Sequence, residues 1–226
     1  MLVNGEQQVT AALLEITDLS HSFAQRGKVL DKVSFTLNSG EKLALTGANG
    51  AGKTTLLQLL VGLIPRQSGD ILSLAQLQKT EADFVQLRQR VGLVFQDPDD
   101  QLFCPSVLED VMFGPLNQGF TVLEASQSAQ KILDQLGLQH LSDRMASELS
   151  GGEKRLVTLA AVLVMQPKVL LLDEPTNALD TQAKQKLLTL LQGLDQAMLI
   201  ISHDQPFLQQ LATGSLELKD AKLTRS

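Results

Sequence analysis

The feature that most constrains this chain is a glycine-rich loop between an apolar strand and a helix. The loop, Gly47–Thr54, reads GANGAGKT and fits the spacing G-x-x-x-x-G-K-[ST]. Lys42–Thr46 before it predicts a strand, and Thr55–Leu60 after it predicts a helix. The backbone amides of such a loop can surround phosphate oxygens, and the helix N-terminus adds a favourable dipole. A chance glycine-rich turn is the alternative, and the strand–loop–helix context argues against it.

The residues of this loop have separate expected roles. The Lys53 side chain would reach the β- and γ-phosphates of a nucleotide, and the Thr54 hydroxyl would hold Mg²⁺. The residues expected to hold the phosphates and the metal are Gly47, Asn49, Gly50, Ala51, Gly52, Lys53, Thr54 and Thr55.

A second segment places two carboxylates at the end of a strand. Val169–Leu172 is a run of large apolar residues, which suits a central parallel strand that is covered on both faces. Asp173 at its end is placed to bind Mg²⁺ through water, and Glu174 is placed to polarise the attacking water as general base. A strand followed by a solvated Asp-Glu turn is the alternative, and the phosphate loop in the same chain argues against it.

A third segment, Leu149–Arg155, reads LSGGEKR and precedes a helical pattern from Leu156 to Met165. Ser150, Gly151 and Gly152 lie where a helix N-terminus offers free amides to an anion. An ordinary serine N-cap with a glycine lead-in is the alternative; it accounts for Ser150 alone but poorly for the whole string. The chain therefore carries two separate phosphate-binding helix starts.

These three strings together resemble the ATP-binding cassette (ABC) ATPases over nearly the whole chain, and smaller marks occur in the expected order. Phe23 resembles the aromatic residue that stacks on adenine. Gln96 resembles the glutamine that contacts Mg²⁺ and water and signals to a membrane partner. Ala178–Asp180 resembles the D-loop, with Asp180 in the nucleotide site, and His203 resembles the switch histidine that contacts the γ-phosphate.

The resemblance implies a fold, its ligands and a pairing of chains. The fold is α/β: a P-loop NTPase core with an antiparallel β subdomain and an inserted helical subdomain at about 98–160. This domain spans residues 13–226, after a flexible tail at 1–12. ATP and Mg²⁺ are the implied ligands; the implied metal-binding residues are Thr54, Gln96 and Asp173, and the implied catalytic residues are Glu174, His203, Gln96 and Lys53. Two cassettes, identical or different, pair head to tail, so that Ser150, Gly151 and Gly152 of one chain close over ATP on the other.

Composition limits the remaining classes of function. The net charge is −6 and no lysine- or arginine-rich block occurs, which argues against a nucleic-acid surface. The N-terminus lacks a signal-peptide pattern, and no run approaches the roughly 18 apolar residues of a membrane helix. A role in transport would need other chains to supply the membrane path. The single cysteine, Cys104, is expected to be an inert thiol in a reducing compartment.

The segment after Gln96 is more particular. Asp97–Phe103 reads DPDDQLF and continues through Pro105–Asn117; this stretch resembles the ATPases of energy-coupling-factor (ECF) importers, especially the cobalt/nickel branch. The resemblance implies that a transmembrane coupling subunit docks near Asp97–Phe103, and a groove with an acidic rim suits an amphipathic helix carrying arginine. The residues expected to form the rim and the groove are Asp97, Asp99, Asp100, Leu102 and Phe103. A solvated acidic loop followed by a core Leu-Phe pair is the alternative.

The sequence therefore predicts the motor subunit of an ECF importer for cobalt or nickel, peripheral on the cytoplasmic face of the membrane. Its contact with a substrate-binding membrane subunit would be indirect. One alternative is an importer motor for another substrate, such as a vitamin or an amino acid. Another is a soluble ABC protein of DNA repair or translation, against which the lack of a coiled-coil insertion, a second cassette and a basic patch counts. The presence of Lys53, Glu174 and His203 counts against a non-hydrolysing cassette.

Overall fold

Two β-sheets and the helices that cover them form most of the structure. The computed structural model describes residues 11–225. Residues 1–10 of the predicted tail therefore lie outside the described residues, and the first strand begins at Ala12.

Strands and helices alternate along most of the described chain. The strands are β1 (Ala12–Phe23), β2 (Gly27–Asn38), β3 (Lys42–Thr46), β4 (Ser68–Ser73), β5 (Gln76–Leu77), β6 (Val91–Val94), β7 (Val169–Asp173), β8 (Ala197–Ile201), β9 (Gly214–Lys219) and β10 (Lys222–Arg225). The α-helices are α1 (Lys53–Leu60), α2 (Glu81–Arg88), α3 (Val107–Asn117), α4 (Val122–Gln135), α5 (Gly151–Leu163), α6 (Thr181–Gln192) and α7 (Gln205–Leu211). Short 3₁₀ helices lie at Pro98–Asp100, Gln139–Leu141 and Ala146–Glu148.

The larger sheet has the strand order β10-β9-β3-β8-β7-β6, and its neighbours pair in parallel except for β10 with β9. Every residue of β7 (VLLLD) and β8 (AMLII) is buried. Such continuous apolar runs are typical of central strands that have helices on both faces. The predicted central parallel strand ending at Asp173 is confirmed.

The carboxyl ends of four neighbouring strands bring the predicted site residues to one edge of this sheet. β3 leads into the phosphate loop, and β7 ends at Asp173. Gln96 lies two residues after β6, and His203 lies two residues after β8. Because parallel strands run in one direction, all four segments meet at the edge where ligands bind in open α/β sheets.

The smaller sheet is antiparallel, with the order β2-β1-β4-β5, as the sequence predicts. Leu30, Val33, Phe35 and Leu37 point from β2 into the main core. The Asp31 amide donates to the Ala221 carbonyl oxygen at 2.7 Å, which ties β2 to the β9–β10 hairpin. This contact brings the turn between β1 and β2 close to the phosphate loop.

The inserted helical part of the chain has a core of its own. α3, α4 and α5 pack through small and branched side chains, including Val111, Ala125, Ala129, Leu133 and Val157. The opposite face of α5 packs on the parallel sheet, and α5 ends slightly beyond the predicted boundary at residue 160. None of the helices between residues 11 and 225 is long and apolar enough to cross a membrane.

Two tight turns have left-handed backbone without glycine. Asp220 and Ala221, which join β9 to β10, have φ angles of 49° and 63°. Leu74 and Ala75, which join β4 to β5, have φ angles of 49° and 62°. Positive φ at both central residues defines the type I′ hairpin turn, whose preferred second residue is glycine. Alanine at this position is strained.

We expect Ala221→Gly to raise the free energy of unfolding by about 0.5–1 kcal/mol. Left-handed backbone costs alanine roughly 1–2 kcal/mol, and the greater freedom of glycine in the unfolded chain offsets part of the gain. Denaturant unfolding measures the change. Ala82→Gly, in the first turn of helix α2, is the control, and it should not raise stability. A loss of stability in both variants would contradict the assigned strain.

Candidate nucleotide-binding site

A cavity of about 410 Å³ lies at the polar edge of the parallel sheet. The predicted site residues that line it are Asn49, Gly50, Gly52, Lys53, Thr54, Thr55, Gln96, Asp173, Glu174 and His203. It is also lined by Arg26, Val29, Asn177 and Ile201, which were not predicted. Loops that follow β3, β6, β7 and β8 therefore contribute to one site.

The phosphate loop passes very close to β9. Gly47 and Gly52 have φ angles of 142° and 108°. A Cβ atom on Gly47 would lie 2.3 Å from the carbonyl oxygen of Leu218, so glycine is required for this approach. Lys53 is buried, and its Nζ donates to the carbonyl oxygens of Gly47 at 2.7 Å and Ala48 at 3.0 Å. The loop thus holds an ammonium group at the cavity.

Asp173 is a buried carboxylate with spare acceptor capacity. Its side chain is 3% exposed, and Oδ1 has no hydrogen-bond partner within residues 11–225. Burial raises the pKa of Asp173, while the nearby Thr54 hydroxyl and the charge of Lys53 oppose the shift. Carboxylate and hydroxyl oxygens are ligands that suit Mg²⁺. The residues present therefore fit the metal that the sequence predicts.

Glu174 follows β7 in a strained backbone conformation. Its φ angle is 49°, a region that residues other than glycine rarely adopt. Its amide donates to the Ile201 carbonyl oxygen at 2.9 Å, and its Oε2 accepts from the His203 amide at 3.2 Å. Oε1 lies 3.2 Å from Nε2 of His203, which is close enough for an ion pair with protonated imidazole but is not aligned as a hydrogen bond. Strain of this kind is typical of active sites.

The start of α5 lies outside this cavity. Ser150 is its N-cap, and the Glu153 carboxylate accepts from the Ser150 amide at 2.8 Å and from its Oγ at 2.7 Å, a capping box that lowers the pKa of Glu153. The amides of Gly151 and Gly152 are among those that a helix leaves without an acceptor of its own. Gly151 packs beside Ala178, so the helix start and the predicted D-loop are neighbours in the same chain.

A second cavity, of about 890 Å³, lies on the other side of the phosphate loop. Gly47 and Ala51 line this cavity and not the first. Arg26 and Val29 line both, since the β1–β2 hairpin packs against the loop. No local pattern marks these two residues in the sequence, because only the packing of the two sheets brings them there.

Two further predicted residues make local contacts outside the first cavity. The Phe23 ring packs edge-on against His21, with ring centroids 4.8 Å apart. The Asp180 carboxylate caps α6, and its Oδ1 accepts from the Ala183 amide at 2.7 Å. Neither Phe23 nor Asp180 lines the cavity that holds Lys53.

An apolar groove of about 450 Å³ lies between α2, β6 and α3. Phe103 and Phe113 form an aromatic wall; they are 65% and 47% exposed, and their rings pack edge-on with centroids 4.9 Å apart. The expectation that Leu102 lines a groove is wrong, because its side chain is buried in the helical core. One apolar residue of the segment thus faces the groove and the other stabilises the fold.

The acidic residues of the same segment have different partners. Asp97 Oδ1 accepts from the Asp99 amide at 3.0 Å, and Asp99 Oδ1 lies 2.6 Å from Nζ of Lys154. Asp100 lines the groove. Of the three predicted rim residues, Asp100 is therefore the one that lines this groove.

Asp110 also lines the groove and was not singled out from the sequence. Its buried Oδ1 accepts from the amides of Phe103 at 3.0 Å and Cys104 at 2.9 Å, which holds the loop with Phe103 outward.

Burial raises the pKa of the Cys104 thiol to about 11. A thiol that stays protonated at neutral pH is unreactive, as the sequence predicts.

The fold and the first cavity define a class of protein. A glycine-rich loop between a parallel strand and a helix, with two carboxylates at the end of another strand in the same sheet, is the nucleotide site of P-loop proteins. The class does not by itself identify the family.

Comparisons with known proteins identify the family. The sequence profile of the ABC transporter family matches residues 30–177. A putative ABC transporter ATP-binding protein of Brucella suis is 52% identical over 86% of this chain and 81% of its own length. The cobalt import ATP-binding protein CbiO of Rhodobacter capsulatus is 44% identical over 88% of this chain and 73% of its own length. The chain belongs to the ABC transporter family, and it is an ATPase.

A solved structure agrees with this assignment. The cbiO1 protein of Clostridium perfringens, part of the ABC transporter complex cbiONQ, superposes with a TM-score of 0.82 at 32% identity. The match covers 95% of this chain and 87% of the other. The fold is that of an ABC ATPase cassette.

We expect Asp173→Asn to raise the melting temperature of the nucleotide-free protein by a few degrees. Burial raises the pKa of Asp173 above its unfolded value, so its ionisation destabilises the fold as pH rises through the folded pKa. The variant should gain less thermal stability from ATP with Mg²⁺ than the wild type does. Thermal unfolding with and without the ligands measures both effects.

Asp204→Asn is a control of opposite sign for this experiment. A hydrogen bond from Lys184 lowers the pKa of Asp204, so its charge stabilises the fold and its neutralisation should lower the melting temperature. If nucleotide-free Asp173→Asn also has a lower melting temperature than the wild type, the charge of Asp173 does not destabilise the fold.

Proposed function

We propose that this ATPase is the motor subunit of an ECF importer for cobalt or nickel, attached to the cytoplasmic face of the membrane. The observation that carries the proposal is the exposed aromatic groove, which is lined by Phe95 and Asp100 on either side of Gln96 in sequence. Gln96 itself lines the nucleotide cavity. A site for a partner is thus joined by a few residues to the site of hydrolysis. The similarity to the cobalt import protein CbiO supports the choice of substrate.

For nucleotide binding, we propose that adenine stacks on Phe23 and that the phosphates lie in the loop from Gly47 to Thr55. Lys53 Nζ already points to the loop carbonyls, so it would exchange these for phosphate oxygens. Thr54, Asp173 and Gln96 would hold Mg²⁺, which supplies positive charge to the β- and γ-phosphates.

For hydrolysis, we propose that Glu174 is the general base. Its buried carboxylate accepts from the His203 amide, two residues after β8, so it can orient a water molecule without first reorganising. His203 and Lys53 would stabilise charge on the γ-phosphate. Gln96 would orient the water, and a shift of Gln96 would be transmitted to the groove where the partner binds. The positive φ of Glu174 is consistent with a position fixed for function and not for stability.

We propose that the functional unit is a head-to-tail pair with a second ABC ATPase, either another copy or a related chain. Ser150, Gly151 and Gly152 offer a helix start to an anion, yet they lie outside their own chain's phosphate cavity. A second chain would bring this helix start and Asp180 over the γ-phosphate. Each chain would then complete the site of the other.

The groove partner that we propose is an amphipathic helix of a transmembrane coupling subunit. The aromatic pair Phe103–Phe113 would receive its apolar face, and Asp100 would pair with an arginine. A substrate-binding membrane subunit would be coupled through this helix and not through direct contact.

The same geometry would serve an importer of a vitamin or an amino acid, since the motor need not touch the cargo. A soluble ABC protein is a less suitable alternative, because it gives no use to an exposed aromatic groove beside Gln96. Nucleic acid is not a proposed partner, since the chain has a net charge of −6.

We expect Glu174→Gln to keep ATP binding and to slow hydrolysis by about 10²–10⁴-fold, since a general base contributes this much. With hydrolysis blocked, a dimer should accumulate in the presence of ATP. Phosphate release and size-exclusion chromatography with ATP measure the two effects. Turnover close to that of the wild type would reject Glu174 as the base.

We expect Asp100→Lys to abolish binding of the coupling subunit and uptake of cobalt or nickel. The new charge would repel an arginine-bearing helix, and like charges at an interface cost several kcal/mol. The chain is co-expressed with a transmembrane coupling subunit and a substrate-binding membrane subunit from its own genome, and the measurements are co-purification, metal uptake and ATP affinity of the isolated chain. Affinity for ATP should not change.

Asp70→Lys is the matched control, because it makes the same charge change at an exposed site on the antiparallel sheet. It should leave binding and uptake as in the wild type. Normal co-purification and uptake with Asp100→Lys would reject the docking role. If the wild type co-purifies normally but takes up neither metal, the assignment as an importer motor stands and the assignment of cobalt or nickel as its substrate is rejected.

A further inference from the structure

Arg155, on the first turns of α5, is a buried cation that bonds to backbone and not to a carboxylate. Its side chain is 3% exposed. Nη1 donates to the Phe95 carbonyl oxygen and Nη2 to the Gln96 carbonyl oxygen, both at 2.7 Å. Nε has no partner in the part of the chain that the structure describes. Burying an arginine costs free energy unless its donors form hydrogen bonds, so the two bonds to backbone carbonyl groups offset part of the cost of placing Arg155 here.

The two bonds fix consecutive peptide groups, because a guanidinium presents its donors as a rigid fork. Two other connections hold the same segment to the same helix, and a bond inside the segment supports one of them. The Phe95 amide donates to Gln101 Oε1 at 3.2 Å, and Gln101 Nε2 donates to the Thr158 carbonyl oxygen at 3.3 Å. Asp99 pairs with Lys154 at 2.6 Å. The chain that leaves β6 is therefore attached to α5.

Gln96 belongs to the segment that is bonded to α5, and it also lines the nucleotide cavity. β6 ends at Val94, and the side chain of Gln96 lines the cavity together with Thr54 and Asp173. Its position relative to those residues depends on where its own backbone is held. The structure shows that backbone held by Arg155.

We propose that Arg155 is a positioning residue, which fixes the Gln96 backbone to α5 and so sets the Gln96 side chain in the nucleotide site. The inference rests on the role proposed above for Gln96. The phosphate loop follows a different strand, β3, and carries the main contacts to ATP. Loss of Arg155 should therefore lower kcat and leave the KM for ATP nearly unchanged.

The test is a double-mutant cycle on the purified full chain with ATP and Mg²⁺. We expect Arg155→Met to lower kcat by about 10- to 100-fold, which is the usual effect of removing a group that orients a ligand residue. Gln96→Ala should lower it as well, and the double variant should be no slower than the slower single variant, because both changes remove one function. Lys131→Met, at an exposed position of helix α4, which makes none of these bonds, should keep kcat near the wild-type value.

Arg155→Lys separates position from charge. Lysine keeps the positive charge near Asp173 and Glu174 but cannot bond to two carbonyl groups as a fork, so recovery of kcat should be partial. Full recovery with lysine would assign the effect to charge and overturn the proposal. Thermal unfolding accompanies every variant, and loss of the fold with both methionine and lysine would assign Arg155 to stability alone and overturn it too.

Two kinetic outcomes distinguish this inference from the role of Gln96. If Gln96→Ala lowers kcat and Arg155→Met adds its full effect in the double variant, only the positioning role fails. If Gln96→Ala has wild-type kcat, the proposed role of Gln96 fails and the inference fails with it.

Discussion

The parallel pairing of β7 with β8 is the constraint on which the nucleotide site depends. The register sets Asp173 opposite Ile201, and the Glu174 amide continues the contact by donating to the Ile201 carbonyl oxygen at 2.9 Å. A slip of one residue would turn the side chains of β7 to the opposite face. Asp173 would then leave Thr54, and Glu174 would leave His203. Every residue of β7 is buried, so close packing against its neighbours opposes such a slip.

The burial that fixes this register also places charges where folding alone would not favour them. Lys53, Asp173, Glu174 and Arg155 are all buried near one edge of the sheet. Burial lowers the pKa of Arg155 and raises that of Asp173, so each is less stable in its charged form than it would be in water. Their mutual attraction offsets part of this cost. A site that loses stability in this way is expected where charges must meet phosphate and metal.

Local sequence patterns were sufficient for the parts of the fold that are themselves local. The strand Lys42–Thr46 and the buried run ending at Asp173 are recognisable because consecutive apolar residues need cover on both faces. Patterns failed where packing between distant segments decides the outcome. Leu102 and Phe103 are neighbours of similar apolar character, yet Asp110 holds the two amides after Leu102 so that only Phe103 remains exposed.

The same limit applies to the nucleotide site. Glycine, lysine and threonine of the phosphate loop act through their own neighbours, so spacing alone identifies them. Arg26 and Val29 reach the cavity only because β2 is tied to the terminal hairpin, a contact between residues far apart in sequence. Asp99 is part of an acidic run in the sequence, but in the structure it pairs with Lys154, which lies 55 residues further along the chain.

α5 connects the two cores of the molecule, which gives its position a consequence for motion. Leu159, Val162 and Leu163 pack on the parallel sheet, and Val157 and Ala160 pack in the helical core. A helix buried on two sides moves as a rigid rod, since a densely packed interior does not deform gradually. Its start at Ser150 is exposed, so an anion bound there, as proposed for ATP of a second chain, would act on one end of the rod. The segment from Phe95 to Gln101 is bonded to the middle of the rod, and it must follow any such movement toward or away from the nucleotide cavity.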